Sequence, residues 1–317
     1  MFVRTLVPLV LVVAALTACR ATPQVHQMEL RTVTSLFGPV ISPEVIRGRH
    51  VDGNTVLLLV ETTIVRVDLE AGSVTRTAMG VAPGTACWGL AKLADGTLWS
   101  LRGRNAIIRI ESDGRLSREL PLTEPHAGLF AAGNRLILQK AMSTPPAAAL
   151  SAGVPGEEIR EPWSDMRTRV FPGIARAQLA ALNMVACGSS EQAERPCWFP
   201  HEPVVFLIGP RGETRRVALA GLAEVAPEVL LAAENPARPV RDVFVDRGGR
   251  IWVLSSGAAP PGAPELPGGW ILARYTADGT ANGQVRLAEP VRLILRADAE
   301  RVVVLAGSGQ VGEVKSW

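Results

Sequence analysis

Two stretches of this chain, far apart in sequence, follow the same order of strand, strand, turn and strand. The first is Asp95-Gly96-Thr97-Leu98-Trp99-Ser100-Leu101, then Asn105 to Gly114 through Ile107-Ile108-Arg109-Ile110 and Asp113-Gly114, then Arg115 to Leu122. The second is Gly248-Gly249-Arg250-Ile251-Trp252-Val253-Leu254, then Ile271-Leu272-Ala273-Arg274-Tyr275-Thr276-Ala277-Asp278-Gly279. Trp252 matches Trp99, and Arg274 to Gly279 repeats the spacing of Arg109 to Gly114. Apolar runs of strand length bounded by Asp-Gly are the pattern of antiparallel strands joined by tight turns. A repeat of this size means one supersecondary unit that cannot bury its own faces and must stack on copies of itself.

Weaker copies fill the remaining length. One runs from Gly53-Asn54-Thr55-Val56-Leu57-Leu58-Leu59 through Ile64 to Leu69, with a turn at Gly72. Another starts at Gly133-Asn134-Arg135-Leu136-Ile137-Leu138 and continues into Ala147 to Gly156. A third surrounds Cys187 and ends in Val204 to Gly212, and a last begins at Val291-Arg292-Leu293-Ile294-Leu295 and Arg301 to Leu305. These make six units of roughly the 40–50 residues of a propeller blade. The last lacks an outer strand, which the segment 27–36 is expected to supply. Such closure removes the two sheet edges that an open ring would expose. The expected fold is therefore all-β, a six-bladed β-propeller over residues 28–317 with an N-terminal strand closing the ring. Five or seven blades, or a sandwich or solenoid, stay open as alternatives.

The unit from Asp95 to Trp99, with Ile107-Ile108-Arg109-Ile110, Asp113-Gly114 and Leu120-Pro121-Leu122, resembles the blade repeat of NHL and streptogramin-lyase-type propellers. The resemblance covers two units well and the others in outline. It implies the propeller. The lyases use a polar cluster of histidines and a glutamate serving a magnesium ion. The four histidines here, His26, His50, His126 and His201, do not sit beside a glutamate in a repeated tryptophan-to-arginine motif.

The N-terminus reads as an export signal. Met1-Phe2-Val3-Arg4 precedes an apolar run from Leu6 to Leu16 and then Leu16-Thr17-Ala18-Cys19. A basic start, a short hydrophobic stretch and small residues before a cut site make a secretory signal peptide. The run falls short of the ~20 residues of a membrane span. Leu-Thr-Ala-Cys resembles the lipobox of bacterial lipoproteins, which implies residues 1–18 as signal peptide, lipid on Cys19, and 19–27 as a tether. An ordinary cleavage near Ala18 with a free Cys19 thiol is the competing reading. Arg20 after the cysteine, by resemblance to diderm lipoproteins, implies the periplasmic side of the outer membrane. The membrane is thus one expected partner, with a protein or small ligand as the other.

Composition narrows the function further. The chain is 47% hydrophobic and 20% charged, so a folded core is expected. Net charge is +3 and the basic residues are scattered; nucleic-acid binding needs a concentrated basic face. Cys187 and Cys197 flank a polar loop in an exported chain, where disulfides persist, and are expected to be bonded. Cys87 is then an odd buried thiol. No histidine or cysteine stands at CxxC-like spacing, so no metal and no cofactor is expected. No Gly-rich phosphate loop, His-Glu-x-x-His or Gly-x-Ser-x-Gly elbow is present.

The candidates for a site are therefore positional. Residues just before each innermost strand usually line the upper mouth of a propeller channel, and these positions are approximately Trp88, His126, Arg241, Asp242 and Arg292. His126 is read as a base or ligand at neutral pH, or as an exposed turn residue. Arg241 and Asp242 are read as an anion or sugar site, or as an ion pair with each other. Trp99 and Trp252 are expected between blades. The Pro-Gly-rich stretch 257–269 and the links 160–178 and 221–238 (with a helix over 223–233) read as loops added to the ring. The expected function is a membrane-anchored binding or scaffold module; the alternative is a metal-dependent lyase or lactone hydrolase in the channel.

Overall fold

The computed structural model describes residues 27–28, 31–35, 46–141, 148–155, 166–232, 240–256 and 269–315. The expected export signal, Cys19, residues 19–26 of the expected tether, most of the 257–269 stretch and parts of both long links lie outside them. The chain forms a six-bladed β-propeller.

Blade 1 comprises Ile46–Asp52, Thr55–Val60, Thr63–Asp68 and Ser73–Ala78 in that order from the axis outward. Blade 2 comprises Cys87–Lys92, Leu98–Arg102, Ala106–Ile110 and Leu116–Pro121. Blade 3 has His126–Ala132, Arg135–Lys140 and Leu150–Gly153, and a bridge between Ala148 and Arg167 marks its outer side. Blade 4 has Ala186–Cys187, Arg195–Trp198, Val204–Ile208 and Thr214–Ala218. Blade 5 has Asp242–Val245, Ile251–Ser256, Trp270–Tyr275 and Ala281–Leu287. Blade 6 has Val291–Ala297, Arg301–Ala306 and Gln310–Lys315, and its outer strand is Arg31–Ser35, antiparallel to Gln310–Lys315. The N-terminal segment thus closes the ring. It also does something the repeat did not announce: Gln27–Met28 pairs parallel with Ala281–Leu287 of blade 5.

The repeated motifs have separate jobs. Trp99 packs with Leu129, Leu136 and Leu138 of the next blade, and its indole N–H donates to Thr97 Oγ1 at 3.1 Å. Trp252 lies with Ile294 and Val304 of blade 6, its indole N–H donating to Asp246 Oδ2 at 3.0 Å. Both tryptophans fill the wedge between blades.

The Asp-Gly turns do more than reverse the chain. Gly114 and Gly279 have φ of 86° and 89°, the left-handed region that glycine occupies without penalty. A Cβ on Gly114 would stand 2.1 Å from Ala78 O of blade 1, and one on Gly279 2.0 Å from Ala218 O of blade 4. The turn carbonyls accept from the preceding blade, Gly80 N–H at 2.9 Å and Ala220 N–H at 3.0 Å. Each turn is a backbone latch onto the blade before it.

One buried apolar cluster runs through blades 5, 6 and 1, so the core continues across the closing seam. The helix expected over 223–233 is shorter, Pro227–Ala232, and a second short helix, Arg176–Leu182, precedes blade 4. Among the described residues no helix is long and apolar enough to cross a membrane.

Candidate functional site

The inner strands converge on a channel. At its upper end, where those strands begin, is a cavity of about 240 Å³ whose lining includes residues of all six blades. At its lower end is a chamber of about 520 Å³.

A common irregularity shapes the upper end. The pairing of the inner strand shifts register between Ile46 and Gly48, Trp88 and Leu90, His126 and Gly128, and Val291 and Leu293. Bulges of this kind re-aim side chains and cluster beside sites. In the first three blades the bulge carries a glycine. A Cβ on Gly48 would lie 2.5 Å from Leu90 N, and one on Gly89 2.4 Å from Leu129 O. Only bare backbone lets neighbouring inner strands come this close.

Into that ring Arg49 projects from blade 1. Its guanidinium donates to both oxygens of Asp242 in blade 5, each at 2.7 Å, and to Ile294 O in blade 6 at 2.5 Å. Asp242 also accepts from Ile294 N–H at 2.6 Å. Both side chains are buried. A two-pronged guanidinium–carboxylate pair is among the stronger polar contacts available to a protein, and this one ties three blades together.

Blade 4 departs from its neighbours at the axis. Its inner strand ends at Cys187, bonded to Cys197 (S–S 2.05 Å), and the chain then crosses to blade 5. There Ser189 and Ser190 pair in parallel with Phe244 and Val245. Gly188 permits the crossing, since a Cβ would meet Val243 O at 1.9 Å. At the tip Glu191 is buried between Arg247 (3.5 Å) and Arg296 (3.7 Å). The polar loop between the cysteines is therefore a floor to the channel, held at its base by the disulfide.

Because the inner strand leaves the sheet at Gly188, the start of the second strand faces the axis, and Arg195 stands there. It lines both chambers and is 7% exposed. Its Nε has no hydrogen-bond partner among the described residues. Burial pulls its pKa down to about 9, helped by Arg49 and opposed by Asp242, so it remains a cation at neutral pH. Gln139 Nε2, lining the same upper cavity, is likewise buried without a partner.

The positional candidates separate. Arg241 and Asp242 line the upper cavity. They do not pair with each other: Asp242 is taken by Arg49, while Arg241 donates to Ser256 Oγ at 2.8 Å and lies over Trp270. The correction has a simple cause, since adjacent residues on a strand point to opposite faces. Trp88, half-buried, is covered by Arg47 at 4.3 Å rather than lining the cavity. Arg292 is exposed at the entry to blade 6. His126 is buried rather than standing free in a turn, with Nδ1 2.8 Å from Glu124 O and Nε2 3.3 Å from Ser151 Oγ. Arg49, Arg195 and Gln139 are the residues that sequence reasoning missed. Cys87 is a buried free thiol, and burial raises its pKa. Among the described residues no three His, Cys, Asp or Glu side chains gather into a metal-holding group.

No family model matches this chain, and no curated protein matches it. Solved structures do. Virginiamycin B lyase from Staphylococcus aureus is 14% identical with a TM-score of 0.54, over 88% of this chain and 83% of that one. A member of the DUF4221 family from Bacteroides vulgatus is 11% identical with a TM-score of 0.54, over 90% and 96%. Regucalcin, a calcium-binding protein from Agrobacterium tumefaciens, is 12% identical with a TM-score of 0.51, over 91% and 95%. The class these similarities define is the β-propeller, and proteins of differing function share it. Fold does not carry activity with it.

Proposed function

We propose that this chain is an exported, lipid-tethered propeller that works as a binding module, with the upper channel mouth as its ligand face. The observation that carries the reading is the chemistry of that mouth. Arg47, Arg49, Arg195 and Arg241 line it, and its carboxylate, Asp242, already accepts from three donors. A carboxylate held by a guanidinium fork and a backbone N–H is poorly placed to serve as a metal ligand, whereas guanidinium groups gathered at a mouth are suited to grip a partner. The tether reading rests on Leu16-Thr17-Ala18-Cys19 at the end of the apolar run.

The test sets binding against the chemistry of one structural neighbour, virginiamycin B lyase. The full chain is incubated with magnesium and a cyclic depsipeptide of the streptogramin B class, and separately with a simple lactone, and the products are weighed by mass spectrometry. Both substrates are expected to stay intact; magnesium-dependent ring opening would overturn the binding reading. In the same instrument the mature N-terminal peptide is expected to begin at an acylated Cys19, and an unmodified cysteine there would remove the tether.

A further inference from the structure

Arg195 is a buried cation at the axis of the ring, and no carboxylate of the described residues stands within ion-pairing distance of it. Asp242, the carboxylate whose field reaches it, is committed to Arg49 and to Ile294 N–H. Taking a guanidinium out of water costs several kcal/mol, and buried charges in folded proteins are as a rule paired. The same cavity holds a second donor without an acceptor among the described residues, Gln139 Nε2. Two unspent N–H donors and one unneutralised charge therefore line one chamber that opens at the channel mouth. On the apolar side that space is walled by Leu90, Leu129, Phe130 and Trp198, with the Phe130 ring 5.7 Å from the Arg195 guanidinium carbon.

We infer that the upper chamber takes a small carboxylate with an apolar body, the carboxylate accepting from Arg195 and Gln139 and the body lying against Phe130 and Trp198. The planar guanidinium matches a carboxylate edge to edge. Of the four arginines on this cavity only Arg49 and Arg195 are buried, and Arg49 is spent on Asp242, so the single deep cation matches the one charge of a carboxylate better than a dianionic phosphate. The volume of about 240 Å³ lies below the ~300–1,000 Å³ of pockets for drug-sized ligands, so the ligand is compact. This inference rests on the binding-module reading and names the ligand class of its site.

Thermal unfolding and calorimetry of the full chain test it, with sodium phenylacetate, neutral phenylacetamide and phenyl phosphate as probes. Phenylacetate is expected to raise the Tm and phenylacetamide to leave it unmoved. Arg195→Met is expected to raise the Tm of the ligand-free chain, because it removes an unpaired buried charge, and to abolish the response to phenylacetate. Gln139→Leu, which keeps every charge in place, is expected to weaken phenylacetate about tenfold, and it carries the test if Arg195→Met does not fold. Equal responses to the acid and the amide, an unchanged response in either variant, tighter binding of phenyl phosphate, or no response to phenylacetate would each overturn the inference. Those failures stay distinct from failure of the binding-module reading, which falls by turnover of the ester substrates.

Discussion

Where blade 2 meets blade 1 and blade 5 meets blade 4, the contact is main chain on main chain: an Asp-Gly turn latches onto the end of the preceding outer strand. Where blade 6 meets blade 1, a Cβ on Gly72 in the third turn of blade 1 would meet nothing within 4 Å among the described residues. There the ring is held instead by the Arg49–Asp242–Ile294 clamp at the axis and by Arg31–Ser35 at the rim. The difference follows from chain connectivity. A latch between consecutive blades is local and can be copied with the repeat. The closing seam joins segments from opposite ends of the chain (Arg49 and Asp242 are 193 residues apart), so it is solved once, by particular side chains.

The largest effect is expected at the clamp. Arg49→Ala or Asp242→Ala leaves one buried charge alone and should cost about 3–5 kcal/mol in urea unfolding. Replacing both with apolar residues, Arg49→Met with Asp242→Leu, should restore most of that loss. If the single and double variants unfold alike, the seam does not depend on the pair.

Acid should weaken the same strand next. His50 follows Arg49, and its pKa is lowered from 6.5 to about 4, by burial first and then by Arg195 and Lys92, with Asp52 opposing. The folded state thus refuses a proton that the unfolded chain accepts. Its contribution is intact above pH 6.5 and is lost as pH falls toward 4, a decline of at most about 3 kcal/mol. His50→Gln should flatten that part of the stability-versus-pH curve; an unchanged slope would place the acid sensitivity elsewhere.

The smallest effect separates latch from turn. Gly72, Gly114 and Gly279 all have positive φ. Gly72→Ala should therefore cost only the backbone strain, about 1 kcal/mol. Gly114→Ala and Gly279→Ala add a collision with the neighbouring blade and should cost about 2–3 kcal/mol. Equal losses in urea titrations of the three variants would mean that the latch contributes nothing.

The blades that were plain in sequence are the latched ones. Trp99 and Trp252 with Asp113-Gly114 and Asp278-Gly279 spell a local conformation, and local conformation is what residue pattern encodes. Blades 3 and 4 were faint because the sequence after Lys140 carries Ser143-Thr144-Pro145-Pro146 where blade 2 has a short turn, and the inner strand of blade 4 is two residues long. The site was less legible than the fold. Arg241 and Asp242 were placed at the mouth, yet the partner of Asp242 is on another blade, beyond the reach of spacing arguments. One signal was present and unread: Arg47-Gly48-Arg49, Trp88-Gly89-Leu90 and Ala127-Gly128-Leu129 put a glycine at the same place in three successive inner strands. Arg195 had no such signal, since its position depends on the strand departing after Cys187.

The N-terminal stitch has a mechanical consequence. Gln27–Met28 is hooked to blade 5 and Arg31–Ser35 to blade 6, by strands of two and five residues. Cys19 stands eight residues before Gln27, a leash of at most about 29 Å. If Cys19 is acylated, the ring hangs from its edge on this leash, and any tug from the bilayer loads the two short hooks before it reaches a blade interior. Anchorage and ring closure would then share a single point of failure.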